Sequence, residues 1–152
     1  MKLTKIAAGI LMAATLTASS LALAADRPRD MGIEIGVLHP GANNAITDVK
    51  GVLVGQVTLV DEKKGMHTGV TAIVPHTDNI FKNKVPAGVF LANAFGKMPG
   101  YPQVQELGNI ETPIVLNNTL NGAAGIDGII DYTFSFKDND DVRSVNAIVG
   151  ET

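Results

Sequence analysis

The stretch Ser144-Val145-Asn146-Ala147-Ile148-Val149-Gly150-Glu151-Thr152 decides how this chain is read. Val145, Ala147 and Val149 fall on one side of an extended segment, and Asn146 and Ile148 on the other. Apolar residues on both sides mark a strand inside a mostly buried sheet. Gly150 closes the pattern, and Glu151 is expected just past the strand end. A strand that delivers a carboxylate to its end supplies half of a site.

Immediately upstream, Lys137-Asp138-Asn139-Asp140-Asp141 reads as a charged, solvated connector. Before it lies the longest helical pattern, from about Asn121 to Phe134, with Ile126, Ile129, Ile130 and Phe134 on one face. Glycines at 122, 125 and 128 weaken that helix by about 1 kcal/mol each relative to alanine. They also leave a face on which a helix can approach a sheet closely. Thr112-Pro113 leads into a short apolar strand, Ile114-Val115-Leu116, which hands over to the polar run Asn117-Asn118-Thr119.

Earlier elements complete the layer. Val52 to Val60 alternates as a strand, and Asp48-Val49-Lys50-Gly51 is expected to turn the chain between it and a strand at Ala45-Ile46. Asp61 to Gly65 breaks the pattern, and Gly69 to Val74 is a β-branched strand stopped by Pro75. Gly88 to Asn93 is an apolar run of strand length, Gly96 to Gly100 a Gly/Pro loop, and Pro102 to Leu107 a short helix ended by Gly108. Several strands, one long helix and a further strand make an α/β or α+β layered fold.

The 152 residues suffice for one ordinary domain. With 45% apolar and 18% charged residues, the chain is neither disordered nor a polybasic nucleic-acid arm, and a net charge of −3 names no partner. The absence of cysteine excludes disulfides, thiolate metal sites and cysteine nucleophiles within these residues. Residues 1–25 have the three parts of an export signal: Lys2 and Lys5, the uncharged run Ile6 to Leu16, and Ala22-Leu23-Ala24. Cleavage is expected after Ala24 or Ala25, the alternative being an uncleaved anchoring helix. The apolar run is shorter than the roughly 20 residues that span a bilayer. The lead-in from Asp26 to Asn44 is extended and turn-rich.

Most chemistries fail on spacing. Val142 stands where a calcium loop would require a ligand after Asp138 and Asp140, and His39, His67 and His76 share no metal-ligand spacing. Gly122-Ala123-Ala124-Gly125 lacks the lysine of a phosphate loop. Ser135 and Ser144 sit in no elbow motif and have no histidine beside them in sequence. Polar groups at strand ends remain: Asn93, Asn117, Asn118, Thr119 and Glu151. Strand ends can converge on a cleft, although for any one asparagine a turn or helix cap is the readier role.

Five segments in order carry a resemblance: Asn44 to Leu59, Gly69 to Pro75, Pro86 to Met98, Glu111 to Thr119, and Val149 to Thr152. Together they resemble the DmpA-type aminopeptidases, the L-aminopeptidase/D-esterase and β-peptidyl aminopeptidase group, related in fold to ornithine acetyltransferase. The resemblance implies an α/β chain forming part of a four-layer α/β/β/α sandwich, with residues 26–152 as the N-terminal portion of the α-subunit domain. It implies an exported, periplasmic or secreted, self-processing serine aminopeptidase without metal or cofactor. Its nucleophilic serine lies outside these residues, at the start of a second, C-terminal β-subunit. Glu151 matches the family's glutamate that binds the substrate's α-ammonium, a task suited to a partly buried carboxylate. Asn118 and Asn93 are further cleft polar groups.

The expected partners are a peptide or amide substrate with a free N-terminus, the β-subunit, and further copies in a homo-oligomer, with neither nucleic acid nor membrane after signal cleavage. Where the family pattern has Asn-Gly, this chain has Asn93-Ala94, and Leu120-Asn121-Gly122 stands where a serine is usual. The chain alone is expected to be an inactive N-terminal fragment, folding poorly without the layer that would cover its sheet. A non-catalytic exported binding domain and an acyltransferase of the related fold are the alternatives.

Overall fold

A computed structural model describes residues 26–93 and 95–151; the export-signal reading of residues 1–25 and the departure at Ala94 lie outside them. The chain divides into two units, Met1–His39 and Pro40–Thr152. In the first, the expected turns form around Arg27–Ile33. The Asp30 N–H donates to the Arg27 carbonyl (2.9 Å) and the Ile33 N–H to the Pro28 carbonyl (2.8 Å).

In the second unit the strands are β1 (Leu53–Asp61), β2 (Met66–Val74), β3 (Val85–Pro86), β4 (Asn109–Ile110), β5 (Ile114–Asn117) and β6 (Ile148–Glu151). The helices are α1 (Tyr101–Leu107) and α2 (Gly122–Phe134). β1 and β2 form a hairpin with Leu53 opposite Val74 and Asp61 opposite Met66. Its turn is closed by the Asp61 carboxylate, which accepts the Lys63 and Lys64 N–H groups at 3.1 and 3.3 Å, and by Gly65 at φ +60°. The sheet order is β1-β2-β5-β6; β5 is antiparallel to β2 and parallel to β6. Parallel neighbours require a crossover, and α2 provides it.

α2 packs on one face of β5 and β6, where Val115, Ile129, Ala147 and Val149 form a core joined by Ala72, Ile126 and Val145. The close approach rests on Gly125: a Cβ there would stand 2.9 Å from Asn117 Nδ2 and 3.0 Å from Val149 Cγ1. The buried stripe of α2 is Ile126, Ile129 and Thr133, whereas Phe134, expected on it, is half exposed. Thr133 is tolerated inside because its hydroxyl donates to the Ile129 carbonyl (2.9 Å). On the opposite face Ile148 packs with Val104 of α1, Ile110 of β4, Val85, Val89 and Met98. Ile148 therefore lies on the other side from Ala147 and Val149, as the alternation requires.

Four expectations are corrected. Ala45-Ile46 is not a strand; Ile46–Asp48 is a 3-10 turn. The Asp48 carboxylate collects the N–H groups of Asn43 (3.0 Å) and Ala45 (3.1 Å), offering that backbone a local partner in place of a ladder. Gly88 to Asn93 forms no strand either. The ladder there stops at Pro86, opposite Asn109; Val89 packs inward while Phe90 is 89% exposed.

The last strand starts later than its side-chain alternation suggests. Ahead of it, side chains intercept the backbone: the Glu111 carboxylate accepts the Asn146 N–H at 2.9 Å, and Thr112 Oγ1 accepts the Ile148 N–H at 3.2 Å. It also ends later, so Gly150 and Glu151 belong to the ladder and Gly150 faces Leu116. Finally, the 137–141 connector is not wholly solvated. Asn139 is buried, donating to the Thr133 carbonyl (2.7 Å) and accepting from Asn79 Nδ2 (2.9 Å). Among the described residues no helix is long and apolar enough to cross a membrane.

Candidate functional site at the ends of β5 and β6

Because β5 and β6 run parallel, their C-terminal ends reach the same edge of the sheet, and the last rung pairs Asn117 with Glu151. The chain then turns from β5 into α2 through a 3-10 turn at Thr119–Asn121, capped by Asn118, whose side-chain oxygen accepts the Asn121 N–H at 3.2 Å. Asn118 Nδ2 also donates to Thr68 Oγ1 at 3.4 Å. Asn118 thus shapes the β5–α2 corner. Asn93 is exposed, and its Oδ1 accepts the Phe95 N–H at 2.9 Å within its own turn.

Asn117 is only 3% exposed. Its amide donates to the Asn121 carbonyl at 2.8 Å, which assigns the nitrogen, since a carbonyl can only accept. Its Oδ1 is then buried with no hydrogen-bond partner among the described residues. Glu151 Oε2, on the same rung, is also buried without a partner. Neighbouring strands lie about 4.8 Å apart, so two acceptors lacking donors sit at adjacent strand ends. The ion pairs of the described residues, Lys64 with Asp61, His67 with Glu62, Lys82 with Asp141 and Lys84 with Glu111, leave Glu151 out. Residue Gly96 borders the carboxylate: a Cβ there would be 3.5 Å from Glu151 Oε1, in ordinary contact.

Buried acceptors without donors are costly, about 1–3 kcal/mol each and more for a charged group. A ligand with several N–H donors and a positive charge relieves that cost; a primary ammonium carries three such donors. Serine chemistry is not assembled here. Ser135 Oγ donates to the Tyr132 carbonyl at 2.6 Å and caps α2, and Ser144 is exposed. Among the described residues no three His, Asp or Glu side chains converge as a metal site would require.

The sequence reading overlooked a second acid. Glu111 is 6% exposed and accepts Lys84 Nζ at 2.7 Å, the Asn146 N–H at 2.9 Å and Asn146 Nδ2 at 3.3 Å. Burial pushes its carboxyl up, but the hydrogen bond from Lys84, the Asn146 N–H and the lysine charge together hold it below the usual glutamate value. It ties the segments leading into β3, β5 and β6 together, and so sets where Glu151 emerges. An acid directly ahead of Thr-Pro and an apolar strand was the available signal.

The profile of Peptidase family S58 matches residues 44–152. Beta-peptidyl aminopeptidase BapA of Sphingosinicella microcystinivorans is 35% identical over 144 residues, covering 90% of this chain and 35% of that protein. The solved PH0078 protein from Pyrococcus horikoshii OT3 superposes with a TM-score of 0.75 at 44% identity, over 84% of this chain and 38% of its own. The L-aminopeptidase D-Ala-esterase/amidase from Ochrobactrum anthropi, described as a prototype for the serine aminopeptidases and a variant of the Ntn hydrolase fold, gives a TM-score of 0.64 at 32% identity. That match covers 83% of this chain and 37% of the other. The chain therefore spans little more than a third of the length of these relatives. With the family profile covering most of its length, residues 44–152, the chain belongs to Peptidase family S58.

Proposed function

We propose that this chain is the N-terminal part of an exported, self-processing serine aminopeptidase whose Glu151 binds the free α-ammonium group of a peptide, amide or ester substrate. The observation that carries this reading is the last rung of β5 and β6, where the Glu151 carboxylate stands at a strand end with a buried oxygen that has no donor among the described residues. A substrate ammonium supplies both the charge and the N–H groups that this oxygen lacks, and an aminopeptidase must recognise that group to act only at chain ends.

On this reading the nucleophilic serine belongs to a β-subunit beyond Thr152. Its hydroxyl attacks the substrate carbonyl, its own α-amine takes the proton, and neighbouring donors hold the oxyanion. The relatives' length relative to this chain leaves room for such a subunit, and the second sheet of a four-layer sandwich would come with it. The completed enzyme is a homo-oligomer without a metal, and the name of the curated relative favours β-peptidyl substrates. The charged start, apolar run and Ala-Leu-Ala of residues 1–25 support export, and periplasmic protein beginning near Asp26 by mass spectrometry would support it further.

The test compares Glu151→Gln with the unaltered enzyme in the full-length protein, on one substrate with a free amine and on its counterpart with hydrogen in place of the amine. The amide keeps the shape and loses the charge. Turnover of the free-amine substrate at low concentration should fall at least about 10-fold, as expected for a lost charge-assisted hydrogen bond. The deaminated substrate should be unaffected. Equal turnover of the free-amine substrate by the two proteins would remove Glu151 from the site.

A further inference from the structure

Two neighbours in sequence, Glu111 and Thr112, lie just ahead of β5 and are closed off from solvent, Thr112 completely. Thr112 uses both sides of its hydroxyl. Its Oγ1 donates to the Pro113 carbonyl at 2.9 Å and accepts the Ile148 N–H at 3.2 Å, so one hydroxyl links the residue ahead of β5 to the first residue of β6. Glu111 acts two residues earlier along the same segment. One of its oxygens accepts the Asn146 N–H at 2.9 Å and Asn146 Nδ2 at 3.3 Å, while the other is held by Lys84 Nζ at 2.7 Å. In an extended chain, N–H groups two residues apart leave on the same side, here toward β5. Glu111 and Thr112 therefore grip the β6 segment at two successive points, and every contact in the set lies between Lys84 and Ile148.

We propose that Thr112 and Glu111 are positioning residues of the ammonium site: by holding the Ile148 and Asn146 N–H groups they set how far along the sheet Glu151 stands beside Asn117, and with it the preference for substrates carrying a free amine. This rests on the reading of Glu151 given above. Both side chains are buried, so they act through β6 and not by touching substrate. The ladder that follows the grip is short, from Ile114 with Ile148 to Asn117 with Glu151. At about 3.3 Å per residue, Glu151 stands only about 10 Å beyond Ile148, so a displacement there reaches the carboxylate. Packing stops a full forward slip, because Ile148 cannot take the place of Gly150, where even a Cβ would stand 2.9 Å from Leu116 Cδ2. Shifts shorter than a residue pass that barrier, and the hydrogen bonds to Thr112 and Glu111 are what oppose them.

The test is Thr112→Val in the full-length enzyme, which keeps the outline of threonine and removes both hydrogen bonds of the hydroxyl. The readout is kcat/KM for the free-amine substrate divided by kcat/KM for its deaminated counterpart. That ratio should fall about 10-fold, mostly through a raised KM for the free-amine substrate, since misplacing a group by about 1 Å costs up to roughly 100-fold. Thr112→Ser keeps the hydroxyl and should restore the ratio. Glu111→Gln keeps an acceptor for the Asn146 N–H and should preserve it, whereas Glu111→Leu should lower it. A role in folding alone would reduce the amount of active enzyme, lower turnover of both substrates equally and leave the ratio and both KM values unchanged. If Thr112→Val does not mature, Thr112→Cys replaces it: a thiol is a weak donor and acceptor, and a ratio about 3-fold lower is expected. An unchanged ratio in the variant measured overturns the proposal. Glu151→Gln in parallel separates the two readings: if it discriminates between the substrates and Thr112→Val does not, only the positioning role falls, and if neither does, the ammonium site itself is lost.

Discussion

The two halves of the sheet are built from similar residues and end in opposite environments. β5 and β6 are covered on both faces, by α2 on one side and by α1 with the β3–β4 ribbon on the other, and Ile148 is 1% exposed. β1 is just as rich in valine and leucine, yet Val57 is 61% exposed. Between the halves an open groove of about 520 Å3 runs along α2, lined by Val70, Ala72, Val74, Gly128 and Tyr132 among others. Gly128 and Gly125 show the same contrast within one helix: Gly125 allows contact with β6, while nothing lies within 4 Å of a Cβ at Gly128. Alternation in a strand therefore reports an intention to be buried, and the covering layer decides which strands achieve it.

The largest test of this contrast is truncation. Ile148→Ala should destabilise the protein by about 3 kcal/mol, through lost burial and the cavity left behind. Leu59→Ala, at a side chain half exposed among the described residues, should change the stability of the chain by no more than about 1 kcal/mol. Equal effects, measured by denaturant unfolding, would break the comparison and show that β1 is as well packed as β6.

A smaller difference is expected from the glycines. Gly125→Ala forces a methyl to within 3 Å of Asn117 and Val149 and should cost about 1–3 kcal/mol. Gly55→Ala in β1 meets nothing within 4 Å. It should be neutral or stabilise by up to about 1 kcal/mol, because alanine restricts the unfolded chain.

The smallest effect concerns pH. Glu111 is held below its ordinary value in the folded state, so its unfolded form binds protons more readily. Its contribution to stability is fully present above the unfolded value of about 4.3 and is lost as pH falls through the lower folded value. Removing Lys84 by Lys84→Met should weaken this dependence, since burial then acts on the carboxyl with less opposition. An acid-unfolding curve that Lys84→Met leaves unchanged would show that the Asn146 N–H alone holds the carboxylate.

Much of the layout was legible. β1, β2, β5, α1 and α2 fall within a few residues of their expected places, because each is marked by side-chain period and by a stop such as Pro75, Gly108 or Asn117. Elements failed where side chains captured the backbone. Asp48 made a turn of Ala45-Ile46, and Glu111 and Thr112 delayed β6. Their effect depends on which backbone N–H reaches the acceptor, and for β6 that meeting spans 35 residues or more.

The site divides in the same way. A strand ending in a carboxylate, Glu151, can be read from local pattern alone, and so can a polar run after β5. That Asn117, rather than Asn118 or Asn93, shares its rung with Glu151 could not be. The choice depends on the register of two strands joined through a 13-residue helix and its connections. A one-residue slip would have turned Asn118 to that rung instead. The order of the elements, their periods and the acid at the end of β6 were determined by the sequence itself, because they rest on near-neighbour chemistry. Which face of β6 meets α2 and which two acceptors meet at the sheet end were decided only by tertiary packing, because each depends on residues brought together from distant parts of the chain.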